Sequence, residues 1–239
     1  MTGPAGVARP SAPCDHRYAE FGNGRLLDLC LGARPDGPGR AADLGCGSGG
    51  LAAALAARGW DVVAVEADPP LAEAARTRGL AVVEADLTDP AVYDDPALAG
   101  RDLVVLGDVL EHLADPVPVL AAAAGLLAPG GRLAVSVPNV AFWQVRLGLL
   151  AGRFDYAETG VLDRTHLRFF TRRSLREALG GAGLSVVAED AVVPLATSVA
   201  PRLGRLGPLA AGYAALGRRA PGLMAFQLLA LCARAGRGG

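Results

Sequence analysis

The chain has 239 residues, a formal net charge of −1 and 51% hydrophobic residues, enough apolar material for one large α/β domain with a small appendage. A near-neutral balance gives no reason to expect nucleic-acid binding. No apolar run approaches the roughly 18 residues of a membrane span, and Met1 to Pro13 has no apolar signal core, so neither a membrane-spanning segment nor export is expected. All 23 basic residues are arginine, and lysine and isoleucine are absent. Such a bias reflects a GC-rich coding sequence, so any single arginine carries less functional weight than usual. Cysteines at 14, 30, 46 and 232 form no C-x-x-C pair, which fits a reduced, cytoplasmic setting. Nothing in the sequence specifies an oligomeric state.

In chain order, residues 1–15 are expected to be a disordered Pro/Ala/Gly tail, followed by one domain over 16–239. Apolar residues at 18, 21, 26, 27, 29 and 31 fit a helix interrupted around Gly22 to Gly24. Strands are expected at Ala41–Leu44, Asp61–Val65, Ala81–Glu84, Leu103–Leu106 and Arg132–Val137. Helices are expected between them at Gly50–Arg58, Pro69–Arg78 and Pro116–Leu127, with a short, poorly defined piece near 90–98. This alternation predicts a parallel sheet with right-handed crossovers. Residues 138–173 are mixed polar and aromatic and too long for an ordinary connector, a sign of function. Thr171 caps a helix reaching Gly181. A strand over Leu184–Val193, a Pro/Gly-broken helical region over 195–222 and a buried last strand over Met224–Ala233 complete the chain. Segments 138–173 and 194–223 are read as substrate-side insertions.

The most informative stretch is Asp43-Leu-Gly-Cys-Gly-Ser-Gly-Gly50. Strand, glycine turn and helix make the ligand-binding corner of a doubly wound sheet. Glycines permit positive φ and remove the Cβ atoms that would hold a ligand away from the backbone. Gly45, Gly47 and Gly50 also satisfy G-x-G-x-x-G, a weak signal when taken alone. Two ligand classes therefore compete, a dinucleotide and S-adenosylmethionine. Asp43 at the strand end favours the second, because a carboxylate there accepts from an ammonium group; as a bland alternative it caps the turn.

Two further acids follow at strand ends. Glu66 is placed to accept from ribose hydroxyls, a role common to both ligand classes, and Asp86 to accept from an adenine amino group. Either one alone is often just a solvated strand-end residue. Asp108-Val-Leu-Glu-His112-Leu follows the fourth strand at the switch point of the sheet; there His112 either touches a ligand or ties down its own loop.

Taken together, Asp43-Leu-Gly-Cys-Gly-Ser-Gly, Glu66, Asp86-Leu87, Asp108-Val-Leu-Glu-His-Leu113 and Leu127-Ala-Pro-Gly-Gly-Arg-Leu133 resemble the class I S-adenosylmethionine-dependent methyltransferases, in the branch that includes ubiquinone-type O-methyltransferases. The resemblance spans roughly 40–193 and implies a doubly wound, mostly parallel seven-stranded α/β sheet, Rossmann-like, with an antiparallel last strand. It implies S-adenosylmethionine as cofactor and a small-molecule acceptor. Asp43, Gly45 and Gly47, with Cys46 between them, would meet the methionine part. Glu66 with Ala67 would meet the ribose, Asp86 with Leu87 the adenine, and Asp108 and His112 would complete the cofactor site. No metal is implied. The acid after the second strand is Glu where Asp is commoner. A dinucleotide oxidoreductase remains the rival, although a chain without lysine lacks the Tyr-Lys pair of short-chain dehydrogenases. A non-catalytic binding module on the same fold is the third reading.

For catalysis the best candidates lie in Val161-Leu-Asp-Arg-Thr-His-Leu-Arg-Phe-Phe-Thr171. In the resembled branch this stretch lies over the donor methyl. His166 suits a general base titrating near neutrality, with Asp163 beside it. The alternative is that His166 and Arg168 fasten the loop with Asp163 as partner. Arg164 or Arg168 can instead bind an anionic acceptor. Phe142, Trp143, Gln144, Phe154 and Tyr156 are expected as walls of the acceptor pocket, or as packing.

Overall fold

The computed structural model describes residues 17–194 and 207–236. The tail at 1–15 and residues 195–206 of the second expected insertion lie outside these. In chain order the elements are α1 (Arg17–Gly32), β1 (Arg40–Leu44), α2 (Gly50–Ala56), β2 (Asp61–Glu66), α3 (Pro69–Thr77), β3 (Ala81–Glu84), β4 (Arg101–Gly107), α4 (Pro116–Gly125), β5 (Leu127–Pro138), α5 (Trp143–Leu150), α6 (Arg172–Gly181), β6 (Leu184–Val192), α7 (Gly207–Arg219), α8 (Pro221–Met224) and β7 (Gln227–Arg234). The seven strands form one sheet in the order β3-β2-β1-β4-β5-β7-β6. The first five run parallel, and β7 lies antiparallel between β5 and β6.

The period-2 geometry of a strand sends alternate side chains to opposite faces, and β4 shows the consequence. Val104 and Leu106 belong to the core with Leu120, Val135 and Leu179, on the side of α4 and α6. Leu103 and Val105 join Leu26, Cys30, Leu51 and Leu55, on the side of α1 and α2. All four β4 residues are completely buried, which is why the strand reads as a continuous apolar run. Order reverses between β1 and β4, so the chain leaves these strands in opposite directions and opens a crevice at their C-terminal ends.

Some boundaries differ from the sequence expectation. Helix α1 is unbroken through Gly22 and Gly24. A glycine in a helix interior costs about 1 kcal/mol, and burial of Leu26 and Cys30 against the sheet, worth roughly 1.5–3 kcal/mol for a Leu alone, outweighs it. The piece at 90–98 is a pair of single 3-10 turns, Pro90–Asp94 and Pro96–Leu98, capped by Asp89 and Asp95. The last strand starts at Gln227, because Pro221 opens a one-turn helix that takes up Met224. The 138–173 segment carries an unexpected helix, α5, none of whose residues is buried. The chain leading into it is pinned nonetheless. Asn139 Nδ2 donates to the carbonyls of Gly222 (3.1 Å) and Ala225 (2.8 Å), and its Oδ1 accepts from Ala141 N–H.

Candidate active site

The crevice holds a cleft of about 480 Å³, within the usual range for a small-molecule site. Each neighbouring strand tip brings it a carboxylate. From β1 comes Asp43 with Gly45, Cys46 and Gly47; from β2, Glu66 and Ala67; after β3, Asp86 and Leu87. Asp108 and His112 follow β4, and Asp163 and His166 arrive from the 138–173 segment. The ten residues expected at the cofactor and the two expected in catalysis therefore line one cleft.

The glycine turn is held by two bonds to the neighbouring strand, from Gly45 N–H and Cys46 N–H to Val65 O at 2.8 and 3.0 Å. Gly45, Gly47 and Gly49 all have positive φ, but for different surroundings. A Cβ on Gly45 would meet Val109 at 2.7 Å, and one on Gly49 would meet Leu80 at 2.6 Å, whereas nothing lies within 4 Å of one on Gly47. Two of these glycines serve packing, and Gly47 faces open cleft. The Cys46 thiol, pushed up to about 12 by burial and the nearby carboxylates, is no nucleophile here.

Asp43 is only 2% exposed, and its Oδ2 has no hydrogen-bond partner. Burial, moderated by the Ala52 N–H and reinforced by Glu66, raises its carboxyl to about 7. Such an orphaned buried acceptor needs a donor or a positive charge to be satisfied. Glu66 is fully engaged. Its Oε2 accepts from Gly47 N–H at 2.8 Å, and its Oε1 accepts from Ala67 and Asp68 N–H, both at 2.9 Å. Its first role is thus to brace the glycine turn, and Oε2, which accepts a single bond, keeps a lone pair for a ligand hydroxyl. Asp86 Oδ1 accepts from the N–H and hydroxyl of Thr88, fixing the turn that carries Leu87 into the cleft.

Asp108 occupies the left-handed region at φ 55°, the single non-glycine residue to do so among those described. Its carboxylate is clamped by the Ser136 hydroxyl (3.0 Å) and by Gln227 Nε2 (2.7 and 2.8 Å). Strain of this kind persists only where the surroundings over-determine it, and here β5 and the antiparallel strand β7 each supply one jaw of the clamp. Glu111, within the expected motif but not picked out by its sequence position, is 1% exposed and has an unpartnered Oε2. It lines the same cleft. Burial, with Asp108 next, holds its carboxyl well above the ordinary range.

The two imidazoles meet at the mouth, ring centroids 5.0 Å apart. His112 Nδ1 lies 3.3 Å from Thr165 O, so it fastens the 138–173 segment rather than its own loop. His166 Nδ1 lies 3.2 Å from Val161 O. The Asp163 carboxylate accepts from the N–H and hydroxyl of Thr165, both at 2.7 Å, and its carbonyl accepts from His166 N–H at 3.1 Å, shaping the turn that presents the imidazole. Burial and His112 hold the His166 imidazole below its ordinary value.

The remaining candidates fall outside the cleft, where fastening and packing were the alternative readings. Arg164 pairs with Glu158, and Arg168 Nε donates to Ala114 O; neither lines the cleft. Nor do the proposed aromatic walls. Phe142 is buried against Trp143, while Phe154 and Tyr156 are exposed and cluster with Phe169. Residue type made them candidates, and only the path of the segment shows which way they turn.

Residues 16–189 match the sequence pattern of a family described as a methyltransferase domain. A ubiquinone biosynthesis O-methyltransferase of Xylella fastidiosa is 41% identical over 103 residues, 42% of this chain and 42% of that protein. One from Xanthomonas oryzae pv. oryzae is 38% identical over 103 residues, 42% of this chain and 43% of its own. These matches span well under half the length of the curated relatives. Among solved structures, an O-methyltransferase family protein from Burkholderia thailandensis superposes with a TM-score of 0.62 at 19% identity, covering 93% of this chain and 57% of that one. Magnesium protoporphyrin IX methyltransferase from Synechocystis, with bound S-adenosylhomocysteine, gives 0.61 at 16% identity, covering 98% and 90%. At such identities these two speak for the fold. The family pattern, which spans more than two thirds of the chain, identifies it as a member of the methyltransferase-domain family.

Proposed function

We propose that the protein methylates a hydroxyl group of a small molecule, with the 138–173 segment forming the acceptor side of the site. The observation that carries this reading is the convergence of Asp43, Glu66 and Asp86 on one cleft beside a glycine whose Cβ direction is open. The orphaned Asp43 Oδ2 fits the ammonium of S-adenosylmethionine; Glu66 and Asp86 suit ribose hydroxyls and an adenine amino group. When bound, the cofactor supplies an electrophilic methyl group on a sulfonium that is already a good leaving group. The protein's remaining tasks are to align the acceptor and exclude water. O-methylation is favoured by the similarity to the ubiquinone O-methyltransferases.

In this reading His166 is the group that takes the acceptor's proton. Its Nδ1 is committed to Val161 O, which leaves Nε2 with a lone pair, and Asp163 positions the turn that carries it. His166→Ala should lower kcat about 100-fold or more, within the range for a lost general base, with little change in cofactor Kd. Because a base works in its neutral form, the rate should rise with pH to a plateau, with its midpoint below the ordinary imidazole value of 6.5. An unchanged kcat removes His166 from the reaction.

Glu66→Ala deprives three backbone N–H groups of their acceptor. Calorimetry should show cofactor binding weakened by about 1–3 kcal/mol, the range for hydrogen bonds to a charged group. Unaltered affinity would place the ribose elsewhere.

A further inference from the structure

The acceptor end of the cleft carries charge of one sign. Asp108, Glu111 and Asp163 all line it, and no ion pair neutralises any of them among the described residues. Asp108 and Asp163 are held by neutral donors alone, the Ser136 hydroxyl and Gln227 amide for one and Thr165 for the other. Glu111 is the extreme case, 1% exposed and with its Oε2 unpartnered. Among the described residues no arginine lines the cleft, and the chain has no lysine. A carboxylate or phosphate on the acceptor would therefore face three acids and find no guanidinium fork to receive it. Nor does a phenyl, phenol or indole side chain line the cleft among the described residues, so a flat apolar acceptor has no ring to stack on.

We propose that the acceptor is a vicinal amino alcohol, its ammonium received by Glu111 and its hydroxyl presented to His166. This rests on the methyl-transfer reading and adds to it the chemical class of the acceptor. An ammonium brings three donors, a positive charge and no acceptor. It satisfies the orphaned oxygen with a charge-assisted bond, stronger than a neutral one, whereas a second hydroxyl leaves the acidic field unmatched. Burial, with Asp108 next, disfavours the ionised Glu111 carboxyl, and a cation beside it reverses that balance. Geometry sets the spacing of the two groups. One oxygen or nitrogen from each of Glu111, His112 and His166 lies within 4.8 Å of the others, so an ammonium and a hydroxyl at hydrogen-bond lengths of about 2.8 Å belong on neighbouring carbons. The two walls hold that spacing, because the Glu111 carbonyl accepts from Leu167 N–H (2.8 Å) and Arg168 N–H (3.0 Å). In the transfer, the hydroxyl oxygen bonds the methyl carbon as the carbon–sulfur bond breaks. The hydroxyl proton passes to His166 Nε2, and the electron pair of the broken bond stays on sulfur. The ammonium has no lone pair while it is held at Glu111, so the nitrogen is not methylated.

The test offers the full-length protein and labelled S-adenosylmethionine two matched series of acceptors: ethanolamine, ethylene glycol and glycolate, then glucosamine, glucose and gluconate. In at least one series kcat/KM for the amine should exceed that of its neutral partner by at least ~10-fold, the lower end for a hydrogen bond to a charged group. The acid should not be turned over, and mass spectrometry should place the label on oxygen. Glu111→Gln keeps the buried shape and removes the charge, and circular dichroism establishes that it is folded. In that variant the preference for the amine should fall towards unity through a raised KM. Neutral partners that match the amines, a preferred acid, label on nitrogen, or a preference that survives Glu111→Gln overturns the proposal. Where no probe is turned over, calorimetry on the S-adenosylhomocysteine complex reads the same ratio as Kd, and absence of amine binding overturns the proposal too. S-adenosylhomocysteine titrated alone separates the failures. Binding of the nucleoside without preference for amines sinks the acceptor class and leaves methyl transfer standing; no nucleoside binding sinks the reading beneath it.

Discussion

Gly47→Val should give a folded protein that no longer binds S-adenosylmethionine. The three left-handed glycines of the turn separate folding from binding. A side chain on Gly45 would strike Val109 and one on Gly49 would strike Leu80 and Ala75, so both of those variants should lose stability through the packing of the turn. At Gly47 no atom lies within 4 Å of an added Cβ, and the residue lines the cleft. A valine therefore costs only the strain of φ 57°, about 1–2 kcal/mol for an L-residue in the left-handed region, and a fall of a few degrees in Tm. Its branched methyls occupy the space against which a ligand must lie. Affinity should fall at least ~100-fold, or about 2.7 kcal/mol, while the circular dichroism spectrum is retained. Undiminished binding by a folded Gly47→Val protein would move the ligand off the turn.

The second large effect concerns Asp43 and pH. In the unfolded chain its carboxyl titrates near 3.8, and in the folded protein near 7. Between those values the native state holds a proton that the unfolded state has released, so the ligand-free protein must lose stability as pH rises across that window. Asp108 and Glu111, also raised mainly by burial, act in the same direction. The Asp43 contribution is bounded by about 4 kcal/mol, large against a typical domain stability of 5–15 kcal/mol. Denaturant melts of Asp43→Asn between pH 4 and 8 should show a markedly flatter stability profile than the parent. Near pH 6, binding of a cationic ligand to the parent should release a proton, detectable as a buffer-dependent calorimetric enthalpy, and the variant should lose that release along with much of its affinity. A parent profile that is flat from pH 4 to 7 would show that Asp43 is ionised throughout.

What could be read in the sequence follows from how local the determining physics is. Strands β1 to β4 and their helices announce themselves because apolar runs, glycine turns and Asp caps act over a few residues: Asp68, Asp115 and Thr171 each cap the helix that follows. The acids at the strand tips were visible for the same reason. Continuity of α1 was not, because the burial that overrides its glycines comes from strands far along the chain. Helix α5 has no buried face to impose a period, so nothing marked it beforehand. Glu111 stood inside a recognisable motif, yet only the fold reveals that its carboxylate is sealed in and lies beside His166, more than fifty positions later. For the aromatic residues 142, 154 and 156 the sequence left two readings open, because an aromatic ring serves a pocket wall and a packing cluster equally well.

The most direct test of the central claim is a paired calorimetric titration of the unmodified protein with S-adenosylhomocysteine and with NADH. Saturable one-to-one binding of the first, strongly reduced in Gly47→Val, and no detectable heat from the second is the expected result. Tight NADH binding with none of the sulfur nucleoside would contradict the account, because the acids at the strand tips would then be serving a different ligand.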